Sequence, residues 1–196
     1  VHKGPKGGPC LEDSFDALRF GLPKPPALAH RLDADTSGCL VLGRHAKALR
    51  KLGKLFSSHD VKKTYWAVTQ GSMPKPQGII DAPLIKRSSK QKGWWMEVAH
   101  DGQKAVTHYR VLGEGKGLSW VEFKPKTGRT HQIRIHAAHL GCPLLGDPIY
   151  GEGGEGAMHL HARQIQFKLQ ASKPDVDITA DIPDHMREAL KTCGFN

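Results

Sequence analysis

The densest run of reactive side chains lies at residues 30–38, His30-Arg31-Leu32-Asp33-Ala34-Asp35-Thr36-Ser37-Gly38. A carboxylate in such a run can act as nucleophile, as general base, or as a cap for its own backbone. Asp35 and Thr36 suit the last role, because their short polar side chains bond the local main chain in turns. Asp33 is less easily explained that way. On these residues alone, catalysis and turn capping weigh equally for it.

A second group occupies residues 124–146, KPKTGRTHQIRIHAAHLGCPLLG. The segment 130–140 predicts a helix: Thr130 can cap it, Ile133, Ala137 and Leu140 share a face, and Gly141 suits the residue just past its end. Arg134 follows His131 by three positions and shares its face. Arg129 stands before the helix, where free backbone N–H groups also favour an anion. An Arg beside a buried Asp would favour the carboxylate form and orient it through charge-assisted hydrogen bonds. The competing reading is an ordinary basic helix end facing solvent.

His131, His136 and His139 do not have metal-ligand spacing on one helical face, and His159 and His161 suit packing or hydrogen bonding, so no metal site is expected. Tyr65 and Trp66 follow Lys62 and Lys63. An aromatic flanked by lysines can stack on a base while the charges follow phosphates. Adjacent strand residues face opposite sides, so one of the two rings must pack in the core. The Gly-rich stretch 146–156 matches neither a P-loop nor a dinucleotide-binding turn, and reads as a mobile surface loop.

The elements that must carry these residues can be sketched from pattern. Residues 1–27, rich in Gly, Pro and Lys, form a flexible lead-in with one short helix near 11–20; residues 28–196 form a single domain. Residues 38–43 have the apolar character of a strand, and 45–56 the spacing of an amphipathic helix. Strands are expected at 63–69, 118–123 and 158–169, a hairpin at Asp101-Gly102, and a last helix at 184–191. Strands outnumber helices, giving an α+β class with a mixed, largely antiparallel sheet.

Lys and Arg number 29 against 19 Asp and Glu, a formal net charge of +10, which favours a polyanionic partner. No apolar run has the length of a membrane span and no signal-peptide pattern opens the chain, so a cytoplasmic protein is expected. The scattered cysteines Cys10, Cys39, Cys142 and Cys193 read as plain thiols.

Taken in order, HRLDADTSG (30–38), KKTYWA (62–67), TGRTHQIRIH (127–136), GDPIYG (146–151) and Leu160-His161-Ala162 resemble the RluA-type family of RNA pseudouridine synthases. The resemblance spans residues 29–167. It implies a mixed sheet around a basic cleft, and isomerisation of uridine to its C5-glycoside without any cofactor. It implies Asp33 as nucleophile, Tyr65 stacked on the target uracil, and Arg134 paired with Asp33. Arg31, Arg129 and His131 would line the RNA-facing cleft, with Lys62 and Lys63 also binding RNA. The implied partner is structured ribosomal or transfer RNA, and the implied protein is a monomer needing no protein partner. Relatives ordinarily have a further strand and a Lys-Pro turn ahead of the segment like Val1-His2, so an N-terminal truncation is expected, as is the lack of an S4-type module. A non-catalytic RNA-binding module and a two-carboxylate hydrolase using Asp33 and Asp35 are the alternatives.

Overall fold

The structure is a computed structural model that describes residues 10–89, 91, 93–151, 153 and 156–196. Its strands are β1 (Ala27–Leu28), β2 (Ser37–Gly38), β3 (Leu42–Gly43), β4 (Lys62–Gln70), β5 (Gln77–Asp81), β6 (Leu84–Ser89), β7 (Gly93–Val98), β8 (Val106–Gly115), β9 (Leu118–Pro125), β10 (Leu160–Phe167) and β11 (Val176–Thr179). The helices are α1 (Ala46–Ser57), α2 (Gln132–His139) and α3 (Asp184–Thr192), with a 3-10 helix at Leu11–Leu18.

A seven-stranded sheet runs β11-β10-β4-β9-β8-β5, with β2 joined to β10. The β2–β10 pairing is parallel and the rest antiparallel, so the sheet is mixed as the sequence predicts. Strand β4 runs through its middle. Its alternation sends Tyr65 and Ala67 to one face, beside Ile133 and Ala137 of α2. Trp66 and Val68 go to the other face, against Met186, Ala189 and Leu190 of α3. At one end, α1 lays Leu52, Leu55 and Phe56 on Val61, Ile165 and Phe167. The sheet thus receives helices on both faces, because its central strands are apolar on both.

Several sequence expectations give way to tertiary structure. Residues 38–43 do not form one strand: only the two-residue strands β2 and β3 flank an irregular turn. That turn is spent on placing the 30–38 loop. Asp101-Gly102 is not a hairpin tip either. It links β7 to β8, and Gly102 lies against the backbone of Leu84. The hairpins are β6–β7 and β8–β9. The latter turns at Lys116 and Gly117, both at positive φ (51° and 74°), as a tight two-residue connection requires. Residues 1–9 of the N-terminal lead-in, and Glu152, Gly154 and Glu155 of the stretch read as a mobile loop, lie outside the described residues. No helix among the described residues is long and apolar enough to cross a membrane.

Candidate active site

The loop carrying Asp33 is fixed at both ends. Upstream, the His30 ring stacks on Phe56 at 4.5 Å between centroids, and its Nε2 accepts the Val41 N–H at 2.9 Å. A ring nitrogen that accepts must be unprotonated. Burial, reinforced by the charge of Lys63, lowers the pKa of His30 to about 4. Downstream, Ser37 and Gly38 pair with His161 and Ala162 of β10, and the Cys39 N–H donates to the Ala162 carbonyl at 2.9 Å. Ser37 Oγ also hydrogen-bonds Nδ1 of buried His161 at 2.8 Å. Gly38 sits at φ 107°, and a Cβ there would collide with the Ala162 backbone, so only glycine fits.

Between these anchors the chain turns. The Thr36 N–H donates to the backbone carbonyl of Asp33 at 3.1 Å. The turn is therefore closed by the main chain of Asp33. Its side chain makes no hydrogen bond among the described residues, which separates it from a capping role.

Asp33 lines a cleft of about 330 Å³, together with Arg31, Lys63, Tyr65, Arg129 and Ile133. Tyr65 reaches it from the centre of β4, with apolar core behind its ring. Burial first, and then the charges of Asp33 and Cys39, push the phenol pKa up, so Tyr65 stays neutral. Arg129 is exposed at the rim and donates from Nε to the Lys104 carbonyl at 3.1 Å. Lys63 is half-buried, and burial lowers its pKa.

Helix α2 closes the far side. Its first turn departs from the sequence expectation: Thr130 is not the cap. His131 takes that place in a left-handed conformation, φ 54° and ψ 20°, without a side-chain cap bond. The loop before it is tied by Gln132 instead. Gln132 Oε1 accepts from Thr127 Oγ1 (2.7 Å) and the Arg129 N–H (3.0 Å). Its Nε2 donates to the Val106 carbonyl (3.0 Å) and to Thr107 Oγ1 (2.9 Å). Gln132 so fixes the rim bearing Arg129 to strand β8.

Arg134 was expected to pair with Asp33. Its direct partner is Asp147, which it meets with two parallel hydrogen bonds, Nε to Oδ2 at 2.8 Å and Nη2 to Oδ1 at 2.7 Å. Both side chains are almost fully enclosed, at 3% and 0% exposure. Asp147 Oδ1 also accepts the N–H groups of Ile149 (2.9 Å) and Tyr150 (3.1 Å). Burial alone would raise the Asp147 carboxyl. The Arg134 and backbone hydrogen bonds outweigh it and hold the pKa below the ordinary carboxylate value. Asp33 acts on Arg134 through space, adding to the forces that raise the guanidinium pKa against the opposing effect of burial. The Asp33 charge also reaches His131, whose pKa is lowered chiefly by burial.

Residues 5–139 match the model of the RNA pseudouridylate synthase family. The chain is 45% identical over 193 residues to an uncharacterized RNA pseudouridine synthase of Zymomonas mobilis, covering 96% of this chain and 86% of that protein. This chain belongs to that family. It is an isomerase of the RluA type, and ribosomal large subunit pseudouridine synthase D of Zymomonas mobilis is 38% identical over 181 residues, covering 85% of this chain and 56% of that protein. Several curated relatives are longer, and the chain spans only 56% to 62% of them. Among solved structures, human RNA pseudouridylate synthase domain containing 4 superposes with a TM-score of 0.80 at 26% identity, over 98% of this chain and 87% of that one.

Within this family member, Asp33, Tyr65, Arg31, Arg129 and Lys63 share one cleft, and Arg134 and His131, which do not line it, interact electrostatically with Asp33. Lys62 does not join them. It lines a neighbouring groove, which Lys63 also lines. Sequence reading missed Asp147, Tyr150 and Gln132. Tyr150 is held by the Met96 N–H at 3.2 Å, hydrogen-bonds His131 Nδ1 at 2.9 Å, and lies 5.1 Å from the Arg134 guanidinium. Both Asp147 and Tyr150 sit in the stretch read as a mobile loop; the described part of it is packed. Of the other helical histidines, His136 bonds Thr107 Oγ1 and the Ala82 carbonyl.

Proposed function

We propose that this chain converts uridine to pseudouridine in structured ribosomal or transfer RNA, with Asp33 as the nucleophile. The observation that carries the reading is the meeting of an uncommitted carboxylate, Asp33, and a neutral aromatic, Tyr65, in one cleft rimmed by Arg31, Lys63 and Arg129. The name of the large-subunit relative supports the ribosomal alternative.

The chemistry asks for these residue types. A stacked uridine hides its glycosidic bond, so the nucleotide must leave the stack, at a cost of about a few kcal/mol. Stacking on Tyr65 returns about 1–3 kcal/mol of that, and the basic rim holds the displaced backbone. Asp33 then attacks C1′, removes the C2′ proton, or adds to C6 of the base. In each route the C1′–N1 bond breaks, the uracil turns within the cleft, C1′ bonds to C5, the C5 hydrogen leaves to solvent, N1 takes up a proton in its place, and Asp33 gives back whatever bond or proton it took. Arg134, fixed by Asp147, supplies positive potential beside the carboxylate.

The test uses RNA transcripts carrying 5-tritiated uridine. The wild type should release tritium and Asp33→Asn should release none, while keeping the same circular dichroism spectrum and melting temperature. Release by a folded Asp33→Asn variant would sink the role of Asp33. RNA binding by the wild type without any product would instead favour a binding module.

A further inference from the structure

Beside the cleft lies a second groove, of about 390 Å³, lined by His59, Lys62, Lys124, Lys126 and Gln166. Phe56, Lys63 and Pro125 line both depressions, so one wall divides them. The groove arises from strand pairing. Lys62 opens β4 opposite Gln166 of β10, and Lys124 closes β9 on the other side of β4. Two neighbouring strands, β4 and β9, thus deliver lysines to one end of the sheet, and β10 adds Gln166. His59, at φ 63° after α1, completes the rim.

The charges there are only partly answered from within. Lys124 Nζ pairs with Glu122 at 2.9 Å, and Glu122 also meets Arg110. Asp177 of β11 accepts from Gln164 and Gln166, and Asp60, which follows His59, accepts from Ser58 Oγ. Lys62, Lys63 and Lys126 form no ion pair among the described residues. The Lys63 ammonium stands near Gly128 of the rim loop and is partly desolvated, which lowers its pKa. A desolvated cation without a carboxylate gains most from an anion brought to it.

The geometry points to this groove as a phosphodiester track, in which Lys62, Lys126 and His59 hold the RNA backbone running on from the flipped nucleotide, with Lys63 bridging track and cleft. The inference rests on the RNA reading above, and it adds a binding site outside the cleft. The track reads charge and not sequence, because lysines are the commonest residue in its lining.

The experiment measures binding of a fluorescently labelled ribosomal RNA stem-loop by anisotropy between about 50 and 200 mM KCl, a range over which phosphate contacts register strongly. Wild type is compared with Lys62→Gln/Lys126→Gln and with Lys116→Gln/Lys191→Gln. The control pair removes the same charge at the opposite end of the sheet, where Gly115 packs on Thr192. Each lost phosphate contact lowers the slope of log K against log [salt] by about 0.7 to 0.9, so the groove variant should lose about 1.4 to 1.8. The control should stay within about 0.3 of wild type, since it removes no phosphate contact. An unchanged slope in the groove variant, or an equal fall in the control, overturns the track. Tritium release by the wild type is scored separately. Its absence alongside the predicted slope change overturns the isomerase reading and leaves the track standing.

Discussion

Removing the Asp147 carboxylate tests how Arg134 is held. Asp147→Ala strands a guanidinium that is 3% exposed and leaves the Ile149 and Tyr150 N–H groups without their acceptor. Breaking one side of such a buried pair costs about 3–5 kcal/mol, and unsatisfied donors add to that, so a loss of about 4 kcal/mol or more is expected. Urea unfolding should show it as a lower midpoint at unchanged slope. The Arg134→Met/Asp147→Leu double variant removes both desolvated charges, and should be at least about 1.5 kcal/mol more stable than the sum of the single losses implies. Activity should not return with stability in that variant, since the Arg134 guanidinium that interacts with Asp33 is then gone. The pH dependence has a definite sign. Asp147 is held below its unfolded pKa, so its contribution is complete above about pH 4 and fades as pH falls through the lower native value. A loss below about 1 kcal/mol for Asp147→Ala, the size of a surface pair, would refute this reasoning.

Tyr65→Ala should lower kcat/KM for tritium release by about 10- to 100-fold, the kinetic equivalent of a lost stacking contact, whereas Tyr65→Phe should retain most activity. Equal losses in both would assign the function to the hydroxyl. Because the native pKa of His30 is about 4, its protonation favours the unfolded chain as pH falls from about 6.5 through 4, costing at most about 3 kcal/mol. The stability gap between wild type and His30→Asn should therefore narrow from pH 7 to pH 4.5; parallel curves would count against it. Gly38→Ala should destabilise by about 2 kcal/mol or more, through positive φ and collision with Ala162, and should depress activity with it. A variant as stable as wild type would show that the loop can shift freely.

Much of the scaffold was legible because it obeys local periodicity. The amphipathic α1, the alternating β4 and the glycine after α2 all follow from spacing. Alternation also required Tyr65 and Trp66 to part, and they do. Lys62 stays out of the cleft that Lys63 lines, although the resemblance groups the two and a second groove is lined by both. What local pattern could not convey is burial created by distant chain. Asp147 sits among glycines and a proline, a composition that says turn, yet it is enclosed because α2 offers it a guanidinium. Gln132 looked like a polar helix residue, whereas it fixes a loop and a strand at once. The one detectable signal for Asp147 was an inward-facing Arg134 that needed a carboxylate. Asp33 acts on Arg134 only through space.

The parallel pairing of β2 with β10 joins Ser37 to His161 across most of the sequence. A contact of such separation forms slowly, since a long loop must close before it is rewarded. During synthesis, at about 5–20 residues per second, Asp33 emerges many seconds before the strand that holds its loop. Every nascent chain shorter than about residue 162 carries Asp33 without its anchor. The loop that bears Asp33 therefore gains its downstream anchor only when the sheet is nearly whole.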